Sequence, residues 1–232
     1  MADKPTIVLV HGFWGGAAHW AKVIVRLSKM GYSAIHAVEN PLTSLADDAE
    51  RTRKMIAQQK GPVLLVGHSY GGVVLTEAGN QPNVVGLVYI AAFAPDAGES
   101  LLDCVAAFPP PPGLLNAAPD SDGYLWISPE KFGESFCQDL PPDEILVMAA
   151  TQKAPLGSTA GDKVTAPAWK AKPSWYQISS QDRMIAPENE KRLAERMKAK
   201  KIITLAASHV SLASMPDEVA AFIDEAAKAA SA

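Results

Sequence analysis

The chain has 232 residues, with 21 Lys and Arg against 25 Asp and Glu, a formal charge of −4. Apolar residues make up 48% and charged residues 20%. That balance excludes a disordered chain, and the acidic surplus excludes a basic face built to grip phosphate backbones, so no nucleic-acid partner is expected. The longest apolar run, 84–94, is interrupted by Gly86 and falls short of the ~18 residues a membrane helix needs. Met1-Ala-Asp-Lys-Pro lacks a charged start followed by an apolar core, so a cytoplasmic protein without membrane contact is expected. An α/β sheet of this length can form one domain. Cys104 and Cys137 have no zinc-like spacing and read as buried thiols.

Thr6–Val10 is a uniformly apolar, β-branched run, the mark of a parallel strand covered on both faces. Residues 17–30 carry Trp20, Val23, Ile24 and Leu27 at helical spacing, ending at Gly31. A strand is predicted at 32–38. Ser44, with Asp47 three residues on, marks a helix start running toward Gln59. A third strand follows at 63–67, a helix at 69–79 and a fourth strand at 84–92. Strands at 174–178 and 202–206, and helices at 188–200 and 216–230, complete the pattern, with the Ala-rich tail after Ala226 expected to fray. The fold class is α/β, a mostly parallel six-stranded sheet with helices on both faces. Residues 1–94 and 174–232 form its core. Residues 95–173 are proline-rich, lack clean alternation and read as an inserted lid.

The sharpest motif is Gly67-His68-Ser69-Tyr70-Gly71, a G-x-S-x-G between a strand and a helix. A tight strand-to-helix turn projects the Ser69 hydroxyl at the carboxyl edge of the sheet. Serine also caps helices, so the bland reading is a cap. Serine needs an imidazole to take its proton, and the imidazole needs a carboxylate to set its tautomer. His209 follows the last strand and Asp182 the fifth, and parallel strands deliver both to the edge that holds Ser69. Asp96 and Asp103, after the fourth strand, compete for the acid role. The backbone N–H groups of Tyr70 and of Phe13, in the loop His11-Gly12-Phe13-Trp14-Gly15-Gly16, are candidate oxyanion donors.

H-G-F-W-G-G, G-H-S-Y-G-G, Q-D-R-M-I-A-P and S-H-V before the last helix resemble the α/β-hydrolase superfamily. Within it, the chain is similar to the small esterases grouped with plant methylesterases and hydroxynitrile lyases. Ala186 departs from the proline many relatives place before Pro187. The resemblance implies a serine hydrolase without cofactor or metal, a triad of Ser69, Asp182 and His209, and a lid over an apolar pocket. The lyases of that group carry threonine at the place of Gly12 and lysine at that of Val210. A cyanide leaving group needs a nearby cation and the substrate hydroxyl a hydrogen-bond partner; Gly12 and Val210 offer neither, so ester cleavage is favoured. Gly12, Trp14, Trp126 and Val210 are the expected substrate contacts. Phe132, Phe136, Met148, Trp169 and Met184 are further apolar candidates, as readily core as pocket. No Lys or Arg stands in the elbow or the oxyanion loop, which points to small or medium neutral esters. The alternatives are a lyase on the same triad or a slow-turnover ligand receptor. The assembly expected is a monomer or homodimer.

Overall fold

The computed structural model describes residues 4–231; the reading of the first residues, Met1 to Asp3, lies outside them. β1 (Thr6–Val10) leads through a 3-10 turn at Ala17–Trp20 into α1 (Ala21–Lys29). β2 (Ile35–Val38), α2 (Leu45–Ala57), β3 (Val63–Ser69), α3 (Gly71–Ala78) and β4 (Val84–Ala92) follow. The segment inserted between β4 and β7, for which the name lid is kept, contains α4 (Leu101–Val105), β5 (Ala117–Pro119), β6 (Leu125–Ile127), α5 (Pro129–Phe136) and α6 (Pro142–Ala150). The chain then returns as β7 (Ser174–Ser179), α7 (Pro187–Arg196), β8 (Lys201–Leu205), α8 (Ser211–Ser214) and α9 (Pro216–Ala230).

Six strands form one sheet in the order β2-β1-β3-β4-β7-β8, every pair parallel. β1 and β3 are wholly buried, as their unbroken apolar runs require. Consecutive residues of β4 identify the two covered faces. A Cβ on Gly86 would lie 3.4 Å from Ala230 of α9, whereas Leu87 packs beneath Gly79 at the end of α3. Neighbouring strand residues point to opposite faces, so α9 and α3 cover opposite sides. The strand order reverses at β1, which pairs with β2 on one side and β3 on the other. The loops leaving β1 and β3 therefore diverge around a crevice, where α/β sheets place their ligands.

Several boundaries move from the sequence reading. The second strand begins at Ile35 rather than at 32. Gly31 adopts φ +88°, and Tyr32 is tied back to Leu27 and donates its hydroxyl to Asp224. The third strand runs on to Ser69, and α3 begins only at Gly71. α7 stops at Arg196 because Lys198 turns into the left-handed region. The alanine tail is not frayed at Ala226: α9 runs to Ala230 with Ala226 and Ala227 buried. The lid is more ordered than its prolines suggest, since two of them open helices instead of breaking them: Pro129 begins α5 and Pro142 begins α6, with Pro141 as the cap of the second. Ser44 caps α2 by accepting from the Asp47 N–H at 3.1 Å. Cys104 and Cys137 are free and buried, and burial pushes their thiols up to about 11 and about 12.

Candidate active site

Ser69 ends β3 with φ 57°, a left-handed conformation that costs a non-glycine residue energy. Its neighbours make the turn possible. A side chain on Gly71 would collide with the Val10 carbonyl, so only glycine lets α3 start this close to β1. A Cβ on Gly12 would lie 2.5 Å from Ser69 Cβ and 3.0 Å from its Oγ, so the loop after β1 packs directly on the hydroxyl. Opposite the turn, the β3–β4 register slips between His68 and Ser69 where Ala91 bulges at φ 41°.

His209 lies in the loop after β8. Its Nδ1 is 2.5 Å from Asp182 Oδ2, and both side chains are buried. Asp182 Oδ1 accepts the N–H groups of Met184 (2.6 Å) and Ile185 (2.9 Å). The carboxylate therefore faces the imidazole in a fixed orientation, and Nδ1 carries the proton. His209 Nε2 is then left as an acceptor. It is buried and bonds no group among the described residues, Ser69 included. The contact from Ser69 to this nitrogen is thus unmade here; such bonds commonly tighten only around a substrate. Asp96 and Asp103, the competing acids, are engaged elsewhere. Asp96 pairs with Lys170, and Asp103 caps α4 and pairs with Lys163.

The Phe13 and Tyr70 N–H groups donate to no protein acceptor among the described residues. Their rings stack at 4.1 Å with 20° between planes. The Tyr70 hydroxyl donates to buried Asp48 at 2.8 Å, whose other oxygen accepts the Leu42 N–H at 2.8 Å. Two free donors are thus held by one stack and one buried carboxylate. His11 braces the same loop: its Nε2 accepts the Asn40 N–H at 2.9 Å, so its Nδ1 donates to the Gly12 carbonyl. Burial holds His11 and His68 below the ordinary histidine range and brings His19 to about 4. Neutral His68 donates Nε2–H to the His209 carbonyl at 2.7 Å.

A cavity of about 80 Å³ opens beside Ser69. Phe13, Trp14 and Phe93 wall it from the core, and Leu101, Leu114 and Leu125 wall it from the lid. Met184 of the acid loop closes it, and apart from Ser69 the lining is apolar. Trp14 lines this cavity, and Gly12 abuts the serine. Two expected substrate contacts lie elsewhere. Trp126 is 43% exposed and donates its indole N–H to Asp120, because strand alternation in β6 turns Leu125, not Trp126, inward. Val210 is fully buried in the turn before α8 and does not line the cavity. Met148 lies in a separate surface hollow on α6, and the Trp169 indole is bound by the Pro95 carbonyl. Asp48 and Glu190, both fully buried, were missed. Periodicity held a signal for Glu190, which shares a helical face with Leu193, Ala194 and Met197.

An α/β sheet with a serine on its sharp strand-to-helix turn and a buried Asp–His pair at the same edge defines a class. The alpha/beta hydrolase family model matches residues 7–222, and the chain belongs to that family. It is 28% identical to the alpha/beta hydrolase nvfD of Aspergillus novofumigatus, over 97% of each chain. Among solved structures it resembles polyneuridine aldehyde esterase (TM-score 0.84, 18% identity, 96% of this chain and 99% of that one). It also resembles a pyrethroid hydrolase from Sphingobium faniae (TM-score 0.81, 21% identity, 97% and 98%). Both likenesses are of fold. Among the described residues no helix is long and apolar enough to cross a membrane, and no His/Cys/Asp/Glu group could hold a metal ion.

Proposed function

We propose that this hydrolase is a serine carboxylesterase acting on small, neutral, apolar esters through an acyl-enzyme. What carries the reading is the buried Asp182–His209 pair, with its outer nitrogen free, at the sheet edge that holds strained Ser69. Ser69 attacks the ester carbonyl while His209 takes its proton. The Phe13 and Tyr70 N–H groups hold the oxyanion, a contribution of ~3 kcal/mol for one donor. His209 then protonates the departing alkoxide, and water activated by the same ring releases the acid. Asp182 stays ionised throughout and steadies the imidazolium.

The cavity supports the substrate class. It has no charged wall to recognise an ionic group, and at about 80 Å³ it suits one short chain or small ring. The test is a series of aryl esters of graded acyl length. An initial burst of phenol and highest kcat/KM for the short members are expected, with both lost in Ser69→Ala. Turnover unchanged in Ser69→Ala would overturn the assignment. Cyanide release from a cyanohydrin in place of ester turnover would redirect it to a lyase.

A further inference from the structure

α7 opens at Pro187 and turns Asn189, Glu190, Leu193 and Ala194 inward. Glu190 alone among them brings an ionisable group, and it is fully buried. Its Oε2 accepts the Ser179 N–H at 3.1 Å. Its Oε1 is sealed from solvent with no donor among the described residues. No cation among the described residues compensates it. Arg192 on the same helix reaches Asn189, and Arg196 reaches Glu99 and the Ala94 carbonyl. Glu190 and Asp182 meet around Ser179: Glu190 Oε2 accepts the Ser179 N–H, and the Asp182 N–H donates to the Ser179 carbonyl at 3.2 Å, which brings the two buried carboxyl groups to the same strand end, where they repel.

Two adjoining buried carboxyls cannot both ionise. Asp182 receives three donors: the N–H groups of Met184 and Ile185, and His209 Nδ1. Glu190 receives one. The charge therefore belongs on Asp182 and the proton on Glu190. Because Oε2 is occupied as an acceptor, the proton belongs on Oε1, the atom otherwise without a partner.

We propose that Glu190 stands as a neutral carboxylic acid whose Oε1–H donates to Asp182, a positioning residue that extends Ser69–His209–Asp182 by a fourth member. The inference rests on the esterase reading for its kinetic consequence, though not for its structural one. No proton transfers: the fourth member fixes the rotation of Asp182 and shares its charge through a hydrogen bond stronger than one between neutral groups. Burial and the repulsion of Asp182 both hold the Glu190 carboxyl well above the usual carboxylate range. The other ionisable groups here are the Tyr176 phenol of β7, bound to the Ala92 carbonyl and raised well above its ordinary value, and the Cys104 thiol of α4, raised to about 11. Neither supplies a competing proton near neutrality. Raising the pH until Glu190 ionises would set a second anion behind Asp182 and remove the donor.

The test compares wild type, Glu190→Gln and Glu190→Leu. Gln can accept from Ser179 and donate to Asp182, whereas Leu can do neither. Leu should lower kcat by ~10–100-fold, the scale of a lost hydrogen bond to a charged group, with KM little changed. Gln should recover most of that loss and lack the alkaline fall in kcat of the wild type. Infrared difference spectra at neutral pH should reveal a protonated-carboxyl band in the wild type that is missing in Glu190→Gln. The same band should persist in Ser69→Ala and vanish in its Glu190→Gln double variant, so the outcome does not depend on turnover. Absence of the band, or equal kcat for the Gln and Leu variants, overturns the proposal. If Glu190→Leu fails to fold, the band decides. If the wild type hydrolyses no ester while the band is present, the esterase reading falls and the neutral Glu190 stands.

Discussion

Tyr70 serves the site through both its backbone and its ring. Its N–H is one of two free donors beside Ser69, while its hydroxyl is tied to Asp48 and its ring lies on Phe13. Tyr70→Phe keeps the stack and cuts the tie. It should lower kcat by ~10-fold with KM nearly constant, and leave buried Asp48 short of a donor at a stability cost of ~1–3 kcal/mol. Steady-state kinetics with urea unfolding checks both halves. Gly12→Ala is harsher for turnover. The added methyl would meet Ser69 Cβ at 2.5 Å and the His68 carbonyl at 2.9 Å, so the loop must retreat from Ser69. Loss of ester turnover by more than ~100-fold is expected, with a folded protein by circular dichroism.

The helices and strands that carry Ser69, Asp182 and His209 are readable because each of these residues stands within a few positions of the end of an apolar run. Parallel strands turn such positions, far apart in the chain, into neighbours. The lid was not readable in the same way. Its elements are short, and their prolines open helices instead of ending them. Glu190 hides for another reason: Glu-Asn-Glu-Lys-Arg looks like a solvated helix face until its register against Leu193 is followed. Residue type and motif position point to Trp126 and Val210 but do not tell which way a side chain turns. The joint between lid and core can be tested at Trp14. Its N–H binds the Lys153 carbonyl and its indole the Leu125 carbonyl, both at lid positions. Trp14→Phe keeps the first bond and loses the second. KM for short esters should rise several-fold while kcat changes less, since the lid wall of the cavity loosens but Ser69 and His209 do not move.

Across the whole molecule, buried ionisable groups set the response to pH. His11, His19 and His68 are held neutral, with folded values below the 6.5 of the unfolded chain. Their stabilisation is complete above pH 6.5 and is lost as the pH falls, for His19 down through about 4. Glu190 acts in the opposite sense, as does Asp48, also raised by burial. A raised carboxyl contributes fully below its unfolded value, 4.5 for Glu190 and 3.8 for Asp48, and loses that contribution as the pH climbs. Below pH 6.5 the three imidazoles outnumber the two carboxyls; above it the carboxyls dominate, joined toward pH 9.0 by the Cys104 and Cys137 thiols, which burial also raises. Urea midpoints measured from about pH 5 to about pH 9 should therefore peak near the histidine value and decline on the alkaline side. Glu190→Gln should flatten that decline, and an unchanged alkaline slope would count against a buried neutral Glu190.

The lid also holds each loop that surrounds Ser69. Gly113 donates to the Arg183 carbonyl of the acid loop at 2.8 Å, and Asp139 accepts the Ser208 N–H beside His209 at 2.8 Å. With the Trp14 bonds, all three loops hang in part from the inserted segment. Transplanting a relative's cap to gain a new substrate range would therefore cut the moorings of the machinery beneath it. Retargeting this hydrolase is better done by exchanging single wall residues such as Leu114, Leu125 or Met184, whose side chains shape the chamber while their neighbours keep the backbone ties.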